Sequence, residues 1–199
     1  MRCITALNDL TKNWRALKFK LFHQNSTPWI VLAWAVCLLS AVLYAAQSKI
    51  KPFDPNSELA MAMHDLTFEA QLSQLFASRG IVTNNTVVHF VTSQCVCQRI
   101  ASAHINSVKQ LATSQDFNNM EISVANWHEL GNFIPSVPAI AVFDDEAKLH
   151  YLGPYSTGLF CAPQEGLVEK FIVNAAPSQP SKSLGANIVH EANGCYCQV

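Results

Sequence analysis

An α/β domain preceded by one membrane-spanning helix is the fold class this sequence predicts, on three observations. The run PWIVLAWAVCLLSAVLYAAQ, residues 28–47, carries no charge. At about 1.5 Å rise per residue it just spans a hydrocarbon core of about 30 Å. Next, the β-branched and aromatic run Thr86–Val91 passes through a polar turn, Thr92–Gln94, into apolar residues spaced three and four apart, a change from strand to helix pattern. Finally, short apolar runs go on alternating with amphipathic stretches as far as residue 176, the order of an α/β chain.

The N-terminal region follows from charge. Residues 1–27 hold Arg2, Lys12, Arg15, Lys18 and Lys20 against a single acid, Asp9. Thr27 and Pro28 suit a helix cap and first turn, and Trp29 and Tyr44 suit the two membrane interfaces. Only Lys49 and Lys51 follow the apolar run closely, so the positive-inside rule puts residues 1–27 in the cytoplasm. The expectation is a single-pass inner-membrane protein whose C-terminal domain lies in the periplasm of a Gram-negative cell, where thiols can cycle through disulfides. The alternative is a signal peptide cleaved near Ala46-Gln47-Ser48; the long basic region and the length of the apolar run favour an anchor. The whole chain has 13 Lys/Arg and 14 Asp/Glu, and without a concentrated basic face nucleic acid is not an expected partner.

After a Lys/Pro/Asp/Asn linker at 48–56, Leu59, Met63, Leu66, Leu72, Leu75 and Phe76 predict an amphipathic helix over Ser57–Arg79, stopped by Gly80. Asn84 and Asn85 turn the chain into the strand Thr86–Val91. Ile100, Ala101, His104, Ile105, Val108, Leu111 and Ala112 then mark one helix face. Alternation predicts a strand over Met120–Asn126, and Ala139–Phe143 reads as a buried strand. Asp144 and Asp145 open a turn to a hairpin partner, Leu149–Leu152. Glu165–Ala175 is the last predicted helix, and the Ser/Pro/Asn-rich tail 177–199 is expected to be flexible.

Chemistry is concentrated in sulfur. Of seven cysteines, Cys3 and Cys37 belong to the N-terminal region and Cys161 precedes the last helix, while Cys95/Cys97 and Cys195/Cys197 form two C-x-C pairs. Cys95 and Cys97 lie where a strand feeds a helix through a turn, and the unpaired N–H groups there favour thiolate over thiol. Three readings compete: a redox couple with Cys95 attacking and Cys97 resolving, a soft-metal site for copper or zinc, and a static disulfide or inert thiols. A flexible tail could bring Cys195 and Cys197 back, as a second dithiol or as the other half of a four-sulfur site with Cys95 and Cys97. Cys161 is either a buried small residue or a partner for a tail cysteine. His104 and His89 read as packed histidines, His150 and His190 as exposed, and Trp127 and Tyr155 as residues that could line the site.

The order of elements over residues 57–176, together with FVTSQCVC at 90–97 and the Val137-Pro138 step before a central strand, resembles the thioredoxin-like superfamily. CVC, YLGPY and the terminal GCYC resemble an uncharacterised bacterial group of membrane-anchored thioredoxin-like proteins. The resemblance implies a central mixed sheet with flanking helices, a cis proline at Pro138, and protein thiol or disulfide clients bound by Val137 and Pro138 beside Cys95 and Cys97. The chain departs from the familiar motif: one residue separates the cysteines instead of two, and Gln94 stands in place of tryptophan. The function expected is thiol–disulfide exchange without a cofactor; the alternative is a non-enzymatic copper or zinc carrier.

Overall fold

The computed structural model describes residues 27–158, 166–177 and 185–199, in two units, one ending at Gln47 and the other beginning at Ser48. Within the first, Thr27–Gln47 is a single helix, α1, long and apolar enough to cross a membrane. It contains Cys37 as a free thiol. Cys3 and Cys161 lie outside the described residues.

The second unit is built on a five-stranded mixed sheet. Its strands are β2 (Thr86–Val91), β3 (Asn118–Ser123), β5 (Ala139–Phe143), β6 (Leu149–Pro154) and β7 (Asn187–Ile188), in the order β3-β2-β5-β6-β7. β3 runs parallel to β2, whereas β5 is antiparallel to both β2 and β6. β5 is an unbroken apolar run, and β2 is buried on both faces with His89 its one imidazole, because both faces of the sheet are covered. Val88, Phe90, Ala141 and Phe143 join one core with Leu72 and Phe76. Val87, Ile140 and Val142 join the other with Ile105, Val108 and Ile172. The period of two along each strand thus divides the residues between two layers. Phe76 is the centre of the first layer, with Phe90, Phe143 and Trp127 at ring-centroid distances of 6.4, 5.7 and 5.7 Å. Burying such a ring contributes on the order of 1.5–3 kcal/mol.

Several helices differ from the sequence expectation. Ser57–Arg79 is two helices, α2 (Glu58–Ala62) and α3 (Phe68–Ser78). The interruption has a local cause: Asp65 Oδ1 accepts hydrogen bonds from the Thr67 N–H and hydroxyl, an alternative to helical pairing that short polar side chains offer. Leu66, placed on the apolar stripe by spacing alone, is fully exposed in this turn. The cysteine helix is also divided, into α4 (Val96–Ile100) and α5 (Ser102–Ser114), and Ile100 faces solvent at the join. β3 begins and ends earlier than expected, with a short 3-10 turn, Val124–Asn126, taking its last residues. The final helix, α6, covers Glu169–Asn174; Glu165 falls outside the described residues.

The linker and the tail need the largest correction. Ile50–Pro52 is a strand, β1, followed by the buried Phe53 and Asp54. It pairs antiparallel with β8 (Asn193–Cys195). β9 (Cys197–Gln198) pairs antiparallel with β4 (Ser136–Val137). The end of the chain is therefore ordered by backbone hydrogen bonds to segments distant in sequence, which its own composition does not encode.

Candidate functional site

The site begins where β2 ends. The Thr92 N–H donates to Gln98 Oε1 at 2.8 Å and the Cys95 N–H to the Thr92 carbonyl at 3.4 Å. This folded turn delivers Cys95 as the capping residue of α4, with extended backbone angles. Cys97 follows in the first turn, so both sulfurs sit at the start of a helix, as the strand-to-helix pattern predicts.

The pairing of those sulfurs departs from the expected couple. Cys95 is bonded to Cys197 (S–S 2.09 Å) and Cys97 to Cys195 (S–S 2.03 Å). The two C-x-C segments therefore meet antiparallel, and no Cys95–Cys97 bridge forms. The signal was available in the sequence: two cysteine pairs of equal spacing can register against each other. Both tail cysteines are engaged by the cysteines at the start of α4, and the Cys161 expectation falls on a residue outside the described ones. Cys95, Cys97 and Cys195 form a buried cluster of their own, and Cys197 packs both against it and against the first core. Cys95, Cys97 and Cys195 are buried, while Cys197 is half-buried.

The second wall of the site is the loop leading into β5. The Val137–Pro138 peptide bond is cis, and the Val137 carbonyl oxygen lies 3.7 Å from Cys95 Sγ. Val137 is also the β4 residue opposite Cys197. The structure thus brings Cys95, Cys97, Val137, Cys195 and Cys197 together, with Pro138 next in the chain.

Residues that motif reading did not single out hold the tail here. The Cys195 N–H donates to the Gly158 carbonyl at 3.0 Å, and the Gly158 N–H to the Asn193 carbonyl at 2.7 Å. Tyr196 is buried, donates its hydroxyl to the Ser156 carbonyl at 2.6 Å, and meets the Phe53 ring edge-on at 5.3 Å. Gly194 is required by close approach: a Cβ there would come 2.7 Å from Tyr196 Oη and 2.9 Å from the Gly158 carbonyl oxygen.

The other candidates lie elsewhere. Trp127 packs against Phe76 in the first core, under the Arg79 guanidinium. Tyr155 belongs to a buried polar group on the opposite face of the sheet. Its hydroxyl lies 2.5 Å from His89 Nδ1, and His89 Nε2 lies 2.8 Å from Asn119 Oδ1. Because the Asn119 amide nitrogen donates to the Lys109 carbonyl and Thr113 Oγ1, its oxygen faces His89. The imidazole therefore donates from Nε2 and accepts the tyrosine proton at Nδ1. Burial drives the His89 pKa down to about 4, against the opposing Asn119 hydrogen bond, and raises the Tyr155 hydroxyl well above its usual range. His104 is buried too, with Nε2 2.6 Å from Glu169 Oε1. Burial pushes the Glu169 carboxyl up, but the His104 hydrogen bond and backbone N–H groups bring it below its ordinary value. His150, expected at the surface, is half-buried and hydrogen-bonded to Asp144 at 2.8 Å; His190 is half-buried as well.

A family model, described as a domain of unknown function (DUF6436), matches residues 64–199. The chain belongs to this family. The DUF6436 match takes in β4, both C-x-C segments and the terminal strands, so the complete four-cysteine cluster lies within it. No curated protein and no solved structure matches the chain. The close cysteine pairs of this DUF6436 domain are compatible with redox or metal chemistry.

Proposed function

We propose that this chain is a membrane-anchored, thioredoxin-like thiol–disulfide exchange protein of the periplasm, acting on protein clients through Cys95. The strand order β3-β2-β5-β6, parallel then antiparallel, supports the thioredoxin-like reading. The apolar helix Thr27–Gln47 supports the anchor. One observation carries the chemistry: Cys95, at the start of α4, shares its sulfur with a tail cysteine directly beside the Val137 carbonyl.

A disulfide so placed is an electrophile and, once reduced, its Cys95 thiolate is a nucleophile at the capping position of a helix. In the reducing direction that thiolate attacks one sulfur of a client disulfide. A Cys95–client bond forms, the client's second sulfur leaves as thiolate, and an internal thiol later displaces the first. Two electrons pass to the client, and the protein gains one disulfide. Val137 and Pro138 form the loop against which the client segment rests. Trapping tests this: full-length chain carrying Cys95→Ser should lose covalent client capture in cell membranes, while a chain able to start but not finish exchange should accumulate it. Equal capture with and without Cys95 overturns the reading.

A second reading is favoured by a specific distance. The sulfurs of Cys95, Cys97 and Cys197 all lie within 4.8 Å of one another. Tetrahedral zinc, with Zn–S of about 2.3 Å, holds its sulfurs about 3.8 Å apart, so the reduced cluster approaches the geometry of a zinc or copper(I) thiolate site. Zinc or copper(I) retained at one ion per reduced full-length chain after gel filtration would support a carrier; loss of all metal would dismiss it.

A further inference from the structure

The two disulfides hold different things, and from that difference we infer that Cys197 is the resolving cysteine, delivered by a C-terminal latch, residues 197–199, that competes with the client for the edge of β4. This rests on the exchange reading above and adds which thiol completes the exchange and what shape of client the site accepts.

The segment around Cys195 is an anchor. Asn193, Gly194 and Cys195 pair with Pro52, Lys51 and Ile50. The Phe53 N–H donates to the Ala192 carbonyl at 2.8 Å, and Gly158 and Tyr196 add the contacts already given. Apart from its disulfide, the segment after Tyr196 is held only lightly among the described residues. Cys197 and Gln198 pair with Val137 and Ser136, and the Val199 N–H donates to the Pro135 carbonyl at 3.2 Å. Opening Cys95–Cys197 therefore frees a short terminal strand, while Cys97–Cys195 keeps it tethered beside the site.

What the latch covers identifies the client. β4 offers its backbone to one antiparallel strand, and the residue opposite Val137 is a cysteine bonded to Cys95. A client in extended conformation, with its cysteine at the position of Cys197, satisfies the same hydrogen bonds and presents its sulfur to the same partner. An open cavity of about 200 Å³, lined by Pro55, Asn56, Asn132, Pro135, Gln198 and Val199, lies at the end of the latch. It gives a longer strand room to continue. Cys97 is poorly placed to resolve, because its own sulfur is committed to the anchor.

The steps balance. Cys95 thiolate attacks the client cysteine of a disulfide, forming Cys95–client and expelling the other thiolate. The latch then returns to β4, Cys197 thiolate attacks Cys95 Sγ, and Cys95–Cys197 forms as the client leaves as thiolate. The returning strand also displaces the client backbone, so chemistry and release are coupled.

The test uses full-length chain in detergent micelles, reduced at Cys95–Cys197 with Cys97–Cys195 kept closed as checked by non-reducing peptide mapping, and an extended synthetic peptide with one cysteine, activated as the mixed disulfide with nitrothiobenzoate. Wild type should release one aryl thiolate more than Cys95→Ser, whose other thiols set the background, then the peptide, and finish with Cys95–Cys197. Cys197→Ser should hold the peptide on Cys95 and clear it at least about tenfold more slowly, and Cys97→Ser should clear it like wild type. A chain ending at Tyr196 should form the adduct at least about threefold faster than full-length Cys197→Ser, since both lack the thiol but only one keeps the latch strand. Clearance by Cys197→Ser at the wild-type rate overturns the resolving role, and equal adduct rates overturn the competition; in either case exchange through Cys95 stands. Equal aryl-thiolate release from wild type and Cys95→Ser would instead overturn the exchange reading itself.

Discussion

Cys95 Sγ lies 3.7 Å from the carbonyl oxygen of Val137, across a sequence separation of 42 residues. The contact ties the start of α4 to the loop before β5, and it survives replacement of sulfur by a hydroxyl, which can donate to the same carbonyl. Cys95→Ser should therefore keep the fold and the Cys97–Cys195 bridge while exchange falls to background. Non-reducing peptide mapping with the aryl-thiolate assay reads both.

The two bridges are nested, with sequence separations of 102 and 98. A crosslink closing a loop of about 100 residues removes unfolded-state entropy worth up to about 4.7 kcal/mol, but once one is in place the second closes only short loops. Replacing either pair with serine should cost about 2 kcal/mol, and replacing all four about 7 kcal/mol. Denaturant titration of the full chain in micelles, followed by tryptophan fluorescence, measures the non-additivity.

Acid should destabilise the domain through His89. Its folded pKa is about 4, held down by burial, and the unfolded value is about 6.5. Between those values the unfolded chain binds the proton and the folded chain does not. Stability is then unaffected above pH 6.5, falls as pH drops toward 4, and levels off below, a loss of about 3 kcal/mol from this one group. His89→Gln should flatten the profile between pH 6.5 and 4, whatever its cost at neutral pH.

Gly194→Ala tests the anchor. The new methyl group would press on the Tyr196 ring and on the Gly158 carbonyl, and backbone on that side cannot move away without losing its bond to Cys195. The expected cost is about 1–3 kcal/mol. Chain refolded from the reduced state should carry more free thiol at Cys195 and Cys197, counted by alkylation and mass spectrometry.

The apolar helix Thr27–Gln47 predicts an uncleaved product. A species of 21.9 kDa that stays with membranes through alkaline carbonate supports the anchor. A shorter chain beginning near Lys49, released to the soluble fraction, identifies a signal peptide instead.

By itself the sequence determined what depends on near neighbours. The apolar run of α1, the strand Thr86–Val91 turning into a cysteine-capped helix, and the hairpin after Phe143 all follow from periodicity, turn residues and length, each legible within a window of about 20 residues. Even there, Asp65 broke a helix that spacing alone would have continued, because one side-chain hydrogen bond competes locally with the backbone. Only the tertiary structure decided which sulfurs pair, that Ile50–Pro52 is a strand, and that the tail is ordered. Residues 185–199 show no helical or strand period of their own; their place is fixed by bonds to β1, β4, Gly158 and the cysteines at the start of α4, up to about 145 residues away. Local composition cannot specify such partners, since their stabilisation exists only after the rest of the chain has folded and presented them.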